Sequence, residues 1–150
     1  MVKTATDDII KTLDLHKEIH IGAPIDVAFD AVLAELGPGS EMPDGAPFPM
    51  VIEPWPGGRW FRDLGDKAGH LWGHVQVIKP PTLLEIRGPM FMSYPALNFV
   101  QYRLTEDKGG TLLQLTHQAM GWIAADVFEG VHGGWEHGLN RVREIAESRA

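Results

Sequence analysis

The sequence predicts an α+β fold, in which a continuous antiparallel sheet is kept apart from two helices. Three patterns indicate this class: a helical pattern near the amino terminus, strand-like segments between residues 50 and 118, and a longer helical pattern at the carboxyl terminus. Helices segregated from an antiparallel sheet define the α+β class. Since 150 residues are typical of one domain, we expect a loose lead-in over residues 1–12 and a single domain over residues 13–150.

The first strand and the first helix have regular patterns. Residues 13–21 alternate between apolar and polar side chains, which is the period of a half-buried strand. Over residues 25–36 the apolar residues recur at helical spacing. Pro24 suits the start of a helix, and Gly37 followed by proline ends it. A loop rich in proline and glycine is predicted over residues 37–49.

Six strands are predicted to follow, joined as an antiparallel meander. Turn residues such as Pro80-Pro81 and Gly109-Gly110 separate these strands, and short links favour antiparallel neighbours. The predicted strands cover residues 50–55, 59–63, 70–79, 83–87, 98–105 and 111–118.

The helical period returns over residues 124–148. Glycines at 130, 133, 134 and 138 interrupt its first half, and each weakens a helix by about 1 kcal/mol relative to alanine. Two interpretations stay open. Either the helix begins only near Gly134, or small residues there allow another group to approach closely.

Alternation along the strands assigns the side chains that face the interior. The inward sets are Thr111, Leu113, Leu115 and His117; Val100, Tyr102 and Leu104; and Leu71, Gly73, Val75 and Val77. These assignments place two polar groups, His117 and Tyr102, inside. Because buried polar groups need partners, these two either bond to each other, to water or to the backbone, or they orient a ligand.

The composition excludes several classes of function. With 13 basic and 20 acidic residues the net charge is −7, which disfavours nucleic-acid or acidic-lipid partners. The chain has no cysteine, so a disulfide, a thiolate metal site and a cysteine nucleophile are excluded. Asp7 and Asp8 stand where a signal peptide would be apolar, and no apolar run reaches the about 20 residues that span a bilayer. We expect a cytoplasmic protein without membrane insertion.

Motifs spread over nearly the whole chain carry a family resemblance. They are Ile19 to Pro24 with Val27 and Phe29, Gly57-Gly58-Arg59-Trp60, Gly73-His74-Val75 with residues 78–84, residues 109–117, and Gly134-Trp135 with Leu139 and Val142. Together they resemble the START-like (SRPBCC) superfamily of the helix-grip fold, and within it the small single-domain bacterial homologues of the activator of Hsp90 ATPase. The resemblance implies a curved sheet of about six or seven strands wrapped around a long carboxyl-terminal helix, with a cavity between them. It implies no single activity, because the superfamily hosts carriers, sensors and cyclases.

We expect that cavity to bind a small hydrophobic or aromatic molecule, of the lipid or polyketide kind. Phe128, His132 and Trp135 follow one another at i, i+4 and i+7, so they share a helix face that should look into the cavity. Trp122 stands near its expected mouth. The candidate ligand-binding residues are Trp60, Phe91, Tyr102, His117, Trp122, Phe128, His132 and Trp135.

Two other functions stay open. An enzyme of the cyclase, dehydratase or hydrolase type would use the same cavity, with His117 as general base and Tyr102 or His132 as hydrogen-bond donor. The family's name adds stimulation of an Hsp90-type chaperone, which we expect less because 150 residues leave no room for the second domain of the eukaryotic co-chaperone.

Seven histidines raise the question of a metal site. His16 and His20, like His70 and His74, are four residues apart on predicted strands, where that step spans about 13 Å and is too long for shared ligation. We therefore expect no metal and no cofactor.

A homodimer is one interpretation of Trp72, which is predicted on the outward face of its strand beside His70, His74 and Gln76. An exposed tryptophan there would mark a dimer face. The alternative is that the loop over residues 37–49 covers Trp72.

Overall fold

The computed structural model describes residues 10–150. Its elements are β1 (Ile10–Ile21), α1 (Ile25–Leu36), β2 (Val51–Ile52), β3 (Arg59–Gly65), β4 (Ala68–Lys79), β5 (Leu83–Gly88), β6 (Ala96–Asp107), β7 (Gly110–Trp122) and α2 (Ala125–Arg149). The seven strands form one antiparallel sheet in the order β1-β7-β6-β5-β4-β3-β2. The predicted α+β class and helix-grip fold are confirmed. Most of the predicted lead-in lies outside the described residues, and residues 10–12 belong to β1.

The first and last strands pair with each other along their whole length. Ile10 lies opposite Trp122 at one end, and Ile21 lies opposite Thr111 at the other. β7 is therefore an interior strand, with β1 on one side and β6 on the other. The remaining neighbours follow one another in sequence, as the predicted meander requires.

The core lies between the concave face of the sheet and the two helices. α1 and α2 both contribute to it, and the largest wholly buried side chains include Phe29 of α1 and Tyr102 of β6. Burying one such side chain contributes about 1.5–3 kcal/mol. A second, smaller apolar cluster is built on Met92, Ala119 and Ile123, with Phe128 packed against it.

A β-bulge in β4 reverses which side chains face the core. Trp60 pairs with Gly73 and Phe61 pairs with Leu71, so Trp72 has no partner in β3. An extra residue of this kind shifts the alternation by one position. Leu71 is consequently 43% exposed, whereas Trp72 packs against the core. The predictions that Leu71 faces inward and Trp72 faces outward are both wrong.

The other predicted inward positions follow the alternation wherever no bulge intervenes. Gly73 and Val75 of β4 are buried. All members of the predicted inward sets of β6 and β7 are buried as well. A second bulge leaves Gln76 unpaired with β5. Beyond it, Ile78 packs against the core and the predicted Val77 does not belong to that cluster.

The loop over residues 37–49 covers Trp72, as the second interpretation proposed. The ring centroid of Phe48 lies 6.0 Å from that of Trp72. The guanidinium carbon of Arg62 lies 3.8 Å from the centroid of the Phe48 ring, within the range of a cation–π contact. Trp72 therefore gives no support to a dimer face.

α2 is one continuous helix of 25 residues from Ala125, so a start near Gly134 is wrong. A Cβ atom added to Gly130, Gly133 or Gly134 would meet nothing within 4 Å. Close approach explains only Gly138, where a Cβ would lie 3.4 Å from a carboxylate oxygen of α1. Between residues 10 and 150, no helix has the length and apolar character needed to cross a membrane.

Candidate functional site

Three side chains from three elements form a hydrogen-bonded cluster inside the fold. Nε2 of His117, on β7, lies 2.7 Å from Oδ1 of Asn98, on β6. The indole N–H of Trp135, on α2, donates to Nδ1 of His117 at 2.9 Å. Because an indole nitrogen can only donate, Nδ1 is the acceptor and Nε2 carries the proton that Asn98 accepts. We call Asn98, His117 and Trp135 the interior polar cluster.

Strand register places the two sheet members of the cluster together. His117 lies opposite Val100 and Asn98 lies opposite Ala119, so Asn98 and His117 are diagonal neighbours on the concave face. The Asn98 amide nitrogen donates to the carbonyl oxygens of Gly88 at 3.2 Å and Pro89 at 3.3 Å. The cluster therefore extends from α2 across the sheet to the end of β5.

Burial keeps His117 neutral. The residue has no exposed surface, and desolvation lowers the pKa of its imidazole from 6.5 to about 4. A neutral ring needs one donor and one acceptor nitrogen, which matches its two partners, Trp135 and Asn98. The cluster is thus fully satisfied near neutral pH.

Aromatic rings enclose the indole of Trp135. Its centroid lies 6.3 Å from that of Tyr102 and 5.5 Å from that of His117, at interplanar angles of 76° and 73°. These are edge-to-face contacts. Tyr102 is 1% exposed, and burial, followed by the charge of Glu35, raises the pKa of its hydroxyl well above 10. The phenol is therefore neutral.

A carboxyl group, that of Glu35, lies at the contact between α1 and α2. It faces Gly138, whose added Cβ would stand 3.4 Å from its Oε1. Desolvation is the main cause that raises the pKa of Glu35 from 4.5 to about 7; Arg141 opposes this rise and Glu41 adds to it. Glu41 also lies 3.0 Å from Nε2 of His137.

Asn98 and Glu35 were not among the predicted site residues. Asn98 shares its alternation with the predicted inward residues Val100 and Tyr102, so the pattern contained the signal. Glu35 follows Val32 by three positions in α1, and this helical spacing indicated that Glu35 lies on the same inward face. Neither pattern could show which partners these side chains meet.

The structure brings together three of the eight predicted ligand-binding residues: Tyr102, His117 and Trp135. Trp60 is buried in a separate aromatic group, where its indole N–H donates to the carbonyl oxygen of Leu36 at 2.8 Å. Phe91 joins the edge of that group, with its ring 5.8 Å from Trp72, and it is 41% exposed.

The remaining three predicted residues divide between inside and outside. Phe128 is half-buried against the smaller apolar cluster. His132 is exposed, so the prediction that it looks inward is wrong: the inward residue of that helical turn is Val131, which is 7% exposed and four residues before Trp135. Trp122 is 44% exposed and shares the outward alternation of β7.

Tyr102 and His117 both contact Trp135 in the space that was predicted to be a cavity. Two open concavities lie elsewhere: one of about 330 Å³ on the outer face of β1, β7 and β6, and one of about 200 Å³ between β1 and α2. The second is lined by Lys17, Glu18, Ile19, Glu136, Leu139 and Asn140. Over residues 10–150, no three acidic or histidine side chains are grouped as a metal site would require.

Solved structures show the same fold at low sequence identity. A putative uncharacterized protein from Rhizobium leguminosarum superposes with a TM-score of 0.70 at 19% identity, covering 93% of this chain and 97% of that one. CalU16 from Micromonospora echinospora gives 0.59 at 22% identity, covering 91% and 76%. The di-domain ARO/CYC StfQ from the steffimycin biosynthetic pathway gives 0.63 at 13% identity, covering 92% of this chain and 51% of that one.

No curated protein matches the chain. The family model described as "Activator of Hsp90 ATPase homolog 1-like protein" matches residues 47–147, which is more than half of the chain and includes every member of the interior polar cluster. The family that the motifs predicted is therefore confirmed: the chain belongs to the activator of Hsp90 ATPase homolog 1-like proteins.

Proposed function

We propose that this protein binds a small hydrophobic or aromatic molecule between the concave face of the sheet and α2. One observation carries the proposal: a polar cluster, centred on the wholly buried His117, stands among mostly apolar side chains of the interior. Ligand sites in proteins are mostly apolar, with a few placed polar groups that fix the orientation of the ligand. His117 and Tyr102 are groups of that kind.

The first half of α2 is the part of the fold that can make room. A Cβ atom added at Gly130, Gly133 or Gly134 would meet no neighbour, although each glycine weakens the helix by about 1 kcal/mol relative to alanine. A segment with few buried contacts opens locally at low cost. Its displacement would uncover the interior polar cluster and the thioether of Met92, an adaptable wall.

Similar folds support a ligand of the aromatic polyketide kind. StfQ is described as an ARO/CYC of the steffimycin biosynthetic pathway, and DynU16, at a TM-score of 0.60, as a putative protein in the dynemicin biosynthetic locus. Both identities are below 20%, so these likenesses guide the choice of test ligands.

Catalysis with His117 as general base is the second candidate, because that histidine lies at the centre of the interior. A general base works best when its pKa is near the working pH, whereas burial lowers the pKa of His117 to about 4. Both of its ring nitrogens are also engaged. A pKa this low makes His117 a weak base near neutral pH, so we propose binding rather than catalysis.

A ligand screen tests the proposal. Lipids, polyketides and smaller aromatic molecules are titrated while tryptophan fluorescence and thermal stability are followed. A ligand present at 100 times its Kd stabilises the folded state by about 2.7 kcal/mol, so at least one class should raise the melting temperature. The fluorescence change should persist in Trp122→Phe, which alters an outward residue, and shrink in Trp135→Phe. If no molecule raises the melting temperature, the proposal is wrong.

A further inference from the structure

We infer that the indole of Trp135 occupies the place of the ligand, and that the ligand is a flat aromatic molecule with an O–H or N–H donor, such as a phenol or an indole. This inference rests on the proposed function and adds the chemical class of the molecule. Three features of the interior support it: the acceptor presented by His117, the shape of the space around Trp135, and the attachment of Trp135 to α2.

The hydrogen bonds of Asn98 determine which ring nitrogen of His117 is the acceptor. Because the amide nitrogen of Asn98 donates to the carbonyl oxygens of Gly88 and Pro89, its Oδ1 is turned toward His117. That oxygen needs a donor, so the proton stays on Nε2 and the lone pair of Nδ1 points at α2. A group that replaces Trp135 must therefore donate a hydrogen bond. A carbonyl or carboxylate oxygen would leave Nδ1 buried without a partner.

The space around the indole suits a planar ring. Tyr102 and His117 both meet Trp135 edge to face, at 6.3 Å and 5.5 Å between centroids. These two residues are wholly buried on adjacent strands, so they keep their positions when Trp135 leaves. A flat aromatic ligand would regain the same edge-to-face contacts, whereas an aliphatic chain would regain only burial.

Trp135 is the replaceable member of the cluster. It is half-buried, while its two partners in the sheet are at most 1% exposed. Gly133 and Gly134, which lack packing partners, come directly before it in α2. The indole can thus swing outward on a weak helical segment without disturbing the strands.

Three naphthalenes of equal ring size test the donor requirement on the wild-type protein. 1-Naphthol carries a donor, 1-methoxynaphthalene carries an oxygen without a donor, and naphthalene carries neither. Calorimetry and thermal shift should give a Kd for 1-naphthol that is roughly fivefold to tenfold lower than for the other two, which is the worth of about one neutral hydrogen bond. His117→Phe, which keeps a ring and removes the acceptor, should abolish this preference.

Trp135→Phe tests the replacement directly. The variant keeps an aromatic ring in α2 but leaves Nδ1 of His117 without its donor, so 1-naphthol should bind several times more tightly than to the wild type. Trp55→Phe, at a tryptophan that is 55% exposed, is the matched control and should leave the Kd of 1-naphthol unchanged. Weaker binding of 1-naphthol to Trp135→Phe would make Trp135 a wall of the site and overturn the inference.

The outcomes separate this inference from the proposed function. Equal binding of the three naphthalenes, or stabilisation by aliphatic lipids alone, would overturn the donor requirement and leave a hydrophobic binding site in place. Failure of every molecule in the wider screen would overturn both. A selective gain for 1-naphthol, enhanced in Trp135→Phe and lost in His117→Phe, would establish the inference.

Discussion

Asn98 orients the His117 ring from the side away from α2. Its carbonyl oxygen accepts from Nε2 of His117, and its amide nitrogen donates to two carbonyl oxygens at the end of β5. An asparagine side chain offers two donors and one oxygen acceptor, and at Asn98 all of these groups are engaged in a site that is 1% exposed. A residue this fully bonded cannot be removed without leaving several polar groups unpaired.

Asn98→Ala should therefore destabilise the protein by about 2–3 kcal/mol, since a buried donor or acceptor left without a partner costs about 1–3 kcal/mol. The free energy of unfolding is measured in urea. Asn140→Ala is the matched control: Asn140 is only half-buried, and its partner, Arg143, is exposed, so its loss should cost within about 0.5 kcal/mol. Equal costs for both variants would contradict the importance of the cluster.

Alternation was sufficient to predict that Tyr102 and His117 face the interior, because β6 and β7 carry no bulge in that stretch. It failed for Trp72, since a bulge leaves no trace in an apolar–polar pattern. The bond between His117 and Trp135 was equally out of reach, because it depends on how α2 lies across the sheet. Where no bulge intervened, the alternation along a strand predicted the side on which a residue lies but not the partner that it meets.

At the scale of elements, proline explains the largest departure from prediction. The strand expected over residues 50–55 is reduced to Val51–Ile52. Pro54 has no N–H to offer a ladder of hydrogen bonds, and Glu53 instead accepts from the Arg59 backbone and guanidinium at 2.8 Å. The long helix, by contrast, forms through its glycines because its inward stripe is buried from Val131 onward.

The glycines of α2 give a prediction for that element. Gly130→Ala and Gly133→Ala should each stabilise the protein by about 0.5–1 kcal/mol, because a helical glycine costs that much and an added Cβ meets no neighbour here. Urea unfolding measures the gain. If this half of α2 opens for the ligand, the double variant should also bind more slowly.

Gly73→Ala is the contrasting variant in the sheet. Its Cβ would lie 2.6 Å from the carbonyl oxygen of Arg87, so this alanine should destabilise the protein instead. Destabilisation by the two helical alanines would mean that these glycines have a structural role after all.

At the scale of the whole molecule, the pairing of β1 with β7 is what the patterns could not reveal. α1 and five strands separate these two partners in sequence, and no turn signal links them. Their pairing gives β7 a neighbour on each side and thereby keeps His117 away from the edge of the sheet. The resemblance to the helix-grip family supplied this architecture, whereas local patterns supplied only the meander.

Two interior groups give the folded protein opposite responses to pH. The pKa of Glu35 is raised from 4.5 to about 7, so its contribution to stability is full below pH 4.5 and is lost as the pH rises toward 7. The pKa of His117 is lowered from 6.5 to about 4, so its contribution is full above pH 6.5 and is lost as the pH falls toward 4. Each group changes the free energy of unfolding by about 2 kcal/mol between pH 4.5 and 6.5.

Because these two slopes oppose each other, the wild-type free energy of unfolding should change little between pH 4.5 and 6.5. Glu35→Gln removes the loss of stability that Glu35 causes as the pH rises and leaves the gain that His117 causes. The free energy of unfolding of this variant, measured in urea, should therefore increase by about 2 kcal/mol as the pH is raised from 4.5 to 6.5. Glu53, whose pKa is lowered to about 2 by Arg59, titrates below this window. Glu144→Gln, an exposed change on α2, should keep the flat profile. A flat profile in Glu35→Gln as well would show that burial does not hold the Glu35 carboxyl protonated.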